Sequence, residues 1–441
     1  MMRESDHTTI DGLVHPDFYP VARALREQVR SYPGGAAVCV YHRGECVVDL
    51  WGGVRDRAGT PWTRDTMAPS FSTTKGVAST LLHIMVDRGL LDYDDRVAKH
   101  WPEFAQAGKQ AITVRQVLAH QSGLYHIRQM IDHAERMLDW AYMIRAIERT
   151  PPIHKPGAHT GYHGLTYGFL VGEILQRVTG RSFSQLVQDE LVGPLQLDGM
   201  YIGAPPEVLY RAAQLIWPQR RFFAATLPLA LDGGFRGTVL FHTASAIEGL
   251  LRMAGVELNL KSILDALAPR GISGFDFSAD ATLRAAIPAA NGLFTARSLA
   301  RIYAALANGG ELDGVRLLSR KTLARATQIQ SRPRRRVVIP FDMSWRLGYH
   351  GVATTYGVPR LAFGHFGFGG SGAWAEPRRN LAVALIVNSG MGTPFGDLRI
   401  MRISGTVLAC VERRANRSRQ GAPTRKRRGG WRSVLAAVAA R

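Results

Sequence analysis

Cysteine is scarce in this chain. Three thiols, Cys39, Cys46 and Cys410, are spread over 441 residues, too few and too scattered for a disulfide framework or a cysteine metal centre. Cys39 and Cys46 flank His42-Arg43-Gly44-Glu45, a turn that would bring them near each other. A bond between them is still not expected in a compartment that keeps thiols reduced. Long apolar runs are missing too: nothing approaches the ~18 residues a membrane-spanning helix needs. Met1-Met2-Arg3-Glu4-Ser5-Asp6-His7 has no apolar core of a secretory signal. A cytoplasmic location is therefore expected. Gly-x-Ser-x-Gly does not occur, which argues against the nucleophile elbow of an α/β-hydrolase. No internal repeat is visible.

Acidic residues are the other shortage, 35 against 55 Lys and Arg, for a formal net charge of +20. Much of the excess is local. Ten basic residues and one Glu lie between Glu412 and Arg441, which leaves +11 for the rest. Such a tail, short of large apolar side chains, is expected to be disordered and to offer attraction to an anionic membrane surface; nucleic acid is set aside as partner. With 46% hydrophobic and 20% charged residues, the body reads as an ordinary globular enzyme able to bury a large core.

The spacing of apolar residues predicts a helix over 17–32, closed by Pro33-Gly34-Gly35. A hairpin follows, with strands Ala36–Tyr41 and Cys46–Trp51. Helical texture runs through the middle of the chain: from Thr113 as a cap to His120, over 132–149, Leu165–Thr179 closed by Gly180, Ser182–Leu191, and Ser298–Ala307 ended by Asn308-Gly309-Gly310. Strands return at Met343–Tyr349, Gly364–Phe368, Ser371–Glu376 and Leu381–Asn388, and Leu398–Arg413 reads as a last helix interrupted by Gly405. The expected fold class is α+β: one antiparallel sheet built from both chain ends, flanked by helices, with a helical lobe beside it. Between Leu215 and Phe235, Arg220 and Arg221 stand among Trp217, Phe222, Phe223, Leu227, Leu229 and Leu231. That stretch suits core or a greasy acyl pocket before a membrane-interface element, because prolines interrupt any amphipathic helix.

Chemistry enters at Phe71-Ser72-Thr73-Thr74-Lys75-Gly76. The apolar spacing after it predicts a helix, and residues three apart on a helix share a face. Ser72 and Lys75 would then meet one turn apart. Unpaired backbone N–H groups and the positive end of the helix dipole would surround the hydroxyl. A serine nucleophile needs an amine to take its proton and donors for the oxyanion it creates. Alone, the pattern favours a capping Ser beside a solvated Lys.

Four further stretches change that weighing: Thr113-Val114-Arg115-Gln116-Val117-Leu118-Ala119-His120-Gln121-Ser122-Gly123, Pro156-Gly157-Ala158-His159-Thr160-Gly161-Tyr162-His163-Gly164, Asn291-Gly292-Leu293-Phe294-Thr295, and Phe363-Gly364-His365-Phe366-Gly367-Phe368-Gly369-Gly370. With Ser72-Thr73-Thr74-Lys75, and in this order, they resemble the serine β-lactamase-like family, in particular the class C β-lactamase-related esterases called family VIII carboxylesterases. The resemblance spans roughly 17–412. It implies a β-lactamase/transpeptidase-like fold with a sheet lobe of about 17–90 and 335–412 and a helical lobe of about 91–334; residues 413–441 would form the basic tail. It implies Ser72 as nucleophile, Lys75 as its partner, Tyr162 as general base, and His365-Phe366-Gly367 in place of the lactamase Lys-Thr-Gly. The oxyanion donors would be the N–H groups of Ser72 and Phe368.

Two departures bear on substrate. Tyr162-His163-Gly164 lacks the family's Asn, and His365 replaces Lys, a weaker carboxylate anchor at neutral pH. Both favour a small ester or related acyl substrate over a β-lactam. An amide-acting β-lactamase or peptidase is the alternative, and a non-catalytic lipid- or nucleic-acid-binding protein the third reading. No cofactor and no metal is expected; His154, His159 and His163 fit no ligand spacing. Gly367-Phe368-Gly369-Gly370-Ser371-Gly372 matches Gly-x-Gly-x-x-Gly but precedes a strand, so a dinucleotide is not expected there.

Overall fold

The computed structural model describes residues 9–217, 259–330, 335–390, 397–419 and 432–433. Of the stretch 215–235, only Leu215, Ile216 and Trp217 fall among them; Arg220, Arg221 and the rest lie outside. So does nearly all of the tail beyond Arg419.

Seven antiparallel strands build the body of the sheet: β1 (Ile10–Val14), β2 (Gly35–His42), β3 (Glu45–Gly53), β4 (His350–Gly351), β5 (Phe363–Phe366), β6 (Gly372–Glu376) and β7 (Leu381–Val387), in the order β4-β5-β6-β7-β2-β3-β1. The two chain ends meet where β7 pairs with β2, Leu381 opposite His42 through Val387 opposite Ala36. This is the sheet expected from the sequence. β1 lies ahead of the expected start at 17; its burial alternates, but with Gly12 at a buried position and the apolar Leu13 at an exposed one the residue types do not show it. Outside β1, the short strand β8 (Arg432–Ser433) pairs with Val14 and Leu13. The Cys39 and Cys46 sulfurs lie 3.7 Å apart as free thiols.

Each sheet face has its own core. On one side Val38, Val40, Leu381, Val383, Leu385 and Trp374 pack with Val21, Leu25 and Val29 of helix α1 (Tyr19–Ser31) and Ile403, Val407 and Val411 of a C-terminal helix. On the other, Cys39, Ala375 and Ala384 pack with Leu81 and Met85 of α2 (Thr73–Asp87) and with a helical region. That region holds α3 (Val114–Leu118), α4 (Trp140–Arg149), α5 (Thr166–Thr179) and α6 (Ala296–Ala307). A capping box joins Thr113 to Gln116, and Gly180 closes α5 in the left-handed conformation. No helix among the described residues is long and apolar enough to cross a membrane.

Three sequence expectations need correction. Residues 132–149 are not one helix: a short 3₁₀ turn covers Ala134–Leu138, and Asp139 then caps α4 by accepting from the Tyr142 N–H. Met343–Tyr349 is not a strand. The Leu347 and Gly348 N–H groups donate to Ala326 and Leu118, Ser344 and Gly348 have positive φ, and only β4 reaches the sheet. The C-terminal helix, α7 (Leu398–Arg419), runs past Arg413. Arg414 and Arg417 pair there with Asp17, and Arg379 pairs with Glu412. Gly405 sits within α7 because a Cβ would meet Thr355 Oγ1 at 2.1 Å.

Candidate active site

α2 starts from a tightly fixed corner. Ala68–Pro69 pairs with Leu293–Phe294, and the Ser70 N–H donates to the Gly292 carbonyl at 2.9 Å. Thr74 ties the same corner down: its hydroxyl donates to the Phe71 carbonyl (2.6 Å) and accepts from the Gly292 N–H (3.0 Å). Phe71 turns the chain with φ +45°, a left-handed conformation that is uncommon for a bulky side chain and costs free energy. Ser72 then occupies the cap position of α2, but its side chain makes no capping bond. Such a cap is worth about 1 kcal/mol. The first-turn N–H groups of Thr73, Thr74 and Lys75 instead donate to the carbonyls of Ser70, Phe71 and Ser72. The Ser72 hydroxyl is thereby left for other partners.

Those partners are Lys75 and Tyr162. Lys75 Nζ lies 2.9 Å from Ser72 Oγ, and the Tyr162 hydroxyl donates to the same oxygen at 2.8 Å. Lys75 Nζ also donates to the Gly164 carbonyl (2.6 Å) and the Ala289 carbonyl (2.9 Å). Lys75 and Tyr162 are both buried. Burial holds the Lys75 ammonium pKa well below its usual range and pushes the Tyr162 phenol up, with the Ser72 hydrogen bond a smaller opposing influence. Both groups therefore favour the neutral state. A neutral amine has two N–H bonds and one lone pair. With its N–H bonds on the two carbonyls, such an amine would present that lone pair to the Ser72 hydroxyl, which also accepts from Tyr162.

The motif that lacks Asn is explained by space. A Cβ on Gly164 would meet Leu267 Cδ2 at 2.2 Å and the Ala266 carbonyl oxygen at 2.7 Å. No side chain fits there, and Lys75 takes the Gly164 backbone oxygen instead. His163 turns away, its Nε2 accepting from Ser122 Oγ (2.7 Å) and the Leu124 N–H (3.3 Å).

β5 brings the remaining expected residues. Gly367 follows it against the Ser72 corner: a Cβ there would meet the Ser70 carbonyl oxygen at 2.3 Å. The Phe368 ring lies 5.5 Å from that of Phe71. Among the described residues, neither the Ser72 nor the Phe368 N–H donates to a protein acceptor. His365 faces the α2 side of the sheet, is 1% exposed, and its ring lies 6.4 Å from Tyr162. Its Nδ1–H donates to the Phe366 carbonyl at 3.0 Å, while Nε2 has no partner among the described residues. Burial, with His350 and Lys75 adding repulsion, keeps its pKa well below the usual histidine range. It is a neutral acceptor, not a cationic anchor.

Sequence reasoning passed over Trp345 and the role of His120. Trp345 stacks on Tyr162 at 5.6 Å with rings 16° from parallel, and His120 packs 4.9 Å from Tyr162 and 4.4 Å from Trp345. His120 carries positive φ, a backbone signal that is invisible in the sequence. The Gly164 and Ala289 carbonyls were also missed, because backbone acceptors carry no residue-type signature. No group of His, Cys, Asp and Glu suited to a metal ion occurs among the described residues.

The chain is similar to known proteins over most of its length. The beta-lactamase family profile matches residues 21–407. The chain is 36% identical over 390 residues to the esterase/beta-lactamase LipL of Mycobacterium tuberculosis, covering 86% of this chain and 82% of that protein. A penicillin-binding protein homologue from Caulobacter crescentus superposes with a TM-score of 0.76 at 34% identity, over 91% of this chain and 100% of its own. A family VIII carboxylesterase superposes with a TM-score of 0.77 at 31% identity, with the same coverage.

Proposed function

From the premise that this chain belongs to the beta-lactamase family, we propose that it is a serine hydrolase of carboxylic esters working through an acyl-enzyme on Ser72. The observation that carries the reading is the three-group contact, Lys75 Nζ and the Tyr162 hydroxyl each within 2.9 Å of Ser72 Oγ. Similarity to an esterase/beta-lactamase and to a carboxylesterase structure supports the ester class.

The chemistry follows from the contacts around Ser72 Oγ. Lys75, as a neutral amine, takes the Ser72 proton while Oγ bonds to the ester carbonyl carbon. The developing oxyanion lies between the N–H groups of Ser72 and Phe368. Collapse breaks the bond to the alcohol oxygen, and that oxygen takes the proton of Tyr162. Lys75 holds a proton to return to the phenolate, and water then repeats the sequence on the acyl-enzyme. Tyr162 thus acts as the acid in each half of the reaction and takes its proton back from Lys75. The neutral, buried His365 offers no positive charge to a β-lactam carboxylate, which weighs against the amide-acting alternative.

A fluorophosphonate probe is expected to label Ser72, and Ser72→Ala to remove both labelling and ester turnover. Labelling at another residue, or turnover that survives the substitution, ends the reading. A chromogenic cephalosporin is expected to be turned over far more slowly than a short p-nitrophenyl ester.

A further inference from the structure

Two separate sets of aromatic rings border Ser72. One surrounds the proton chain: Tyr162, Trp345, His120 and His365, rich in ring nitrogens and a phenol. The other holds only Phe and Trp. It runs from Trp217 to Phe368 (6.1 Å), Phe368 to Phe71 (5.5 Å), Phe71 to Phe277 (5.1 Å) and Phe277 to Phe275 (4.9 Å). Among the described residues no ring of one set contacts a ring of the other.

The second set is both anchored and open. Phe71 and Phe368 are the residue before the nucleophile and the residue whose N–H faces the oxyanion position. Trp217 is fixed by the Ile216 N–H on the Asn388 carbonyl (2.8 Å) and rests on Gly390, where a Cβ would meet its ring at 2.5 Å. Yet Trp217 is 48% exposed, and Phe275, Phe277 and Phe368 are only half-buried. Part-open apolar rings gathered around the buried Phe71, beside a nucleophile, have the ordinary form of a ligand wall.

The direction of the reaction assigns the two walls. The leaving alcohol oxygen must reach the Tyr162 proton, so the alcohol lies along the ring set around Tyr162. The acyl chain, on the other side of the carbonyl, then runs along the Phe and Trp set. Resting on the ester-hydrolase reading above, we propose that Trp217, Phe368, Phe71, Phe277 and Phe275 form an acyl-binding wall that selects esters of aromatic or bulky apolar carboxylic acids.

The test uses two matched ester pairs with the full-length enzyme. p-Nitrophenyl phenylacetate and p-nitrophenyl acetate differ only in the acyl part; 2-phenylethyl acetate and ethyl acetate differ only in the alcohol. The phenylacetyl ester is expected to exceed the acetyl ester in kcat/KM by roughly tenfold or more, the scale on which apolar pockets discriminate. Phe277→Ala is expected to bring that ratio close to one while leaving the alcohol-pair ratio where it was. Phe277→Leu, which keeps most of the volume, should give an intermediate ratio and guards against a folding defect. A flat acyl ratio in the wild type, or a Phe277 substitution that moves the alcohol ratio instead, overturns the wall assignment. Fluorophosphonate labelling of the same samples separates the two levels. Labelled Ser72 with a flat acyl ratio removes this inference alone, whereas absence of both labelling and turnover removes the hydrolase reading with it.

Discussion

Lys75 and Lys109 are both inaccessible to solvent, and each faces three oxygen atoms. The difference lies in the oxygens and the charge nearby. Lys109 donates to the carbonyls of Gln106 (2.9 Å), Glu148 (2.7 Å) and Thr150 (2.8 Å), pinning the C-terminal end of α4. Burial lowers its pKa to about 8 while the Glu148 carboxylate opposes the shift, so it remains an ammonium at neutral pH. Lys75 has two carbonyls and one hydroxyl, and burial holds its pKa well below the usual lysine range with no carboxylate opposing the shift. Three carbonyls and a carboxylate hold three protons on nitrogen. Two carbonyls and a hydroxyl, with no carboxylate opposing the effect of burial, favour an amine with two protons and a lone pair. The same side chain is a structural pin in one place and suited to act as a base in the other.

The largest test is a pair of matched substitutions. Lys75→Met should lower kcat by about 10²–10⁴-fold, the usual size of a general-base contribution, and should cost less stability than Lys109→Met, since two carbonyls rather than three lose their donor. Lys109→Met should leave kcat nearly unchanged and destabilise the fold by about 1–3 kcal/mol through carbonyls left without a donor. Steady-state kinetics and denaturant midpoints on both variants read this crossing directly. If the two behave alike, the distinction fails.

Tyr162→Phe comes next. It keeps the stacking on Trp345 but removes the proton for the leaving alcohol, so kcat should fall by roughly 10²-fold. Esters with better leaving groups should suffer less, since they need less help from an acid. An equal loss across a leaving-group series would place Tyr162 elsewhere in the reaction.

The pH dependence separates the lysines in another way. Lys75 must be neutral to act, so kcat/KM should rise with pH on the acid side and level off well below the ordinary lysine range. For Lys109, the unfolded chain binds more protons than the native one between about pH 8 and the usual lysine value. Native stability should therefore rise with pH across that window, and Lys109→Met should flatten the rise in chemical-denaturation midpoints. Smallest of all, Glu148→Gln should lower stability at pH 7 by less than about 1 kcal/mol and leave ester turnover alone.

Much of the frame was legible in the sequence because it is local. The β2–β3 hairpin follows from two short apolar, Val-rich runs around His42-Arg43-Gly44-Glu45, and α5 from its apolar spacing and Gly180. Residues 132–149 misled because their spacing fits one helix, while Asp139 uses its side chain to begin a new one. Met343–Tyr349 misled because its apolar content is spent on packing in a turn rather than in a ladder. Trp345 gave no signal, since its place over Tyr162 comes from a loop that reaches the site across the fold.

What the sequence by itself determined is the meeting of Ser72 with Lys75, because three residues on a helix make one turn whatever surrounds them. Tertiary structure decided what that pair can do. It brought the Tyr162 hydroxyl from 90 positions away and the Ala289 carbonyl from 214 positions beyond Lys75, and it closed the space in which an ammonium loses water. Proton affinity depends on the surrounding atoms in three dimensions, and chain order alone does not specify them.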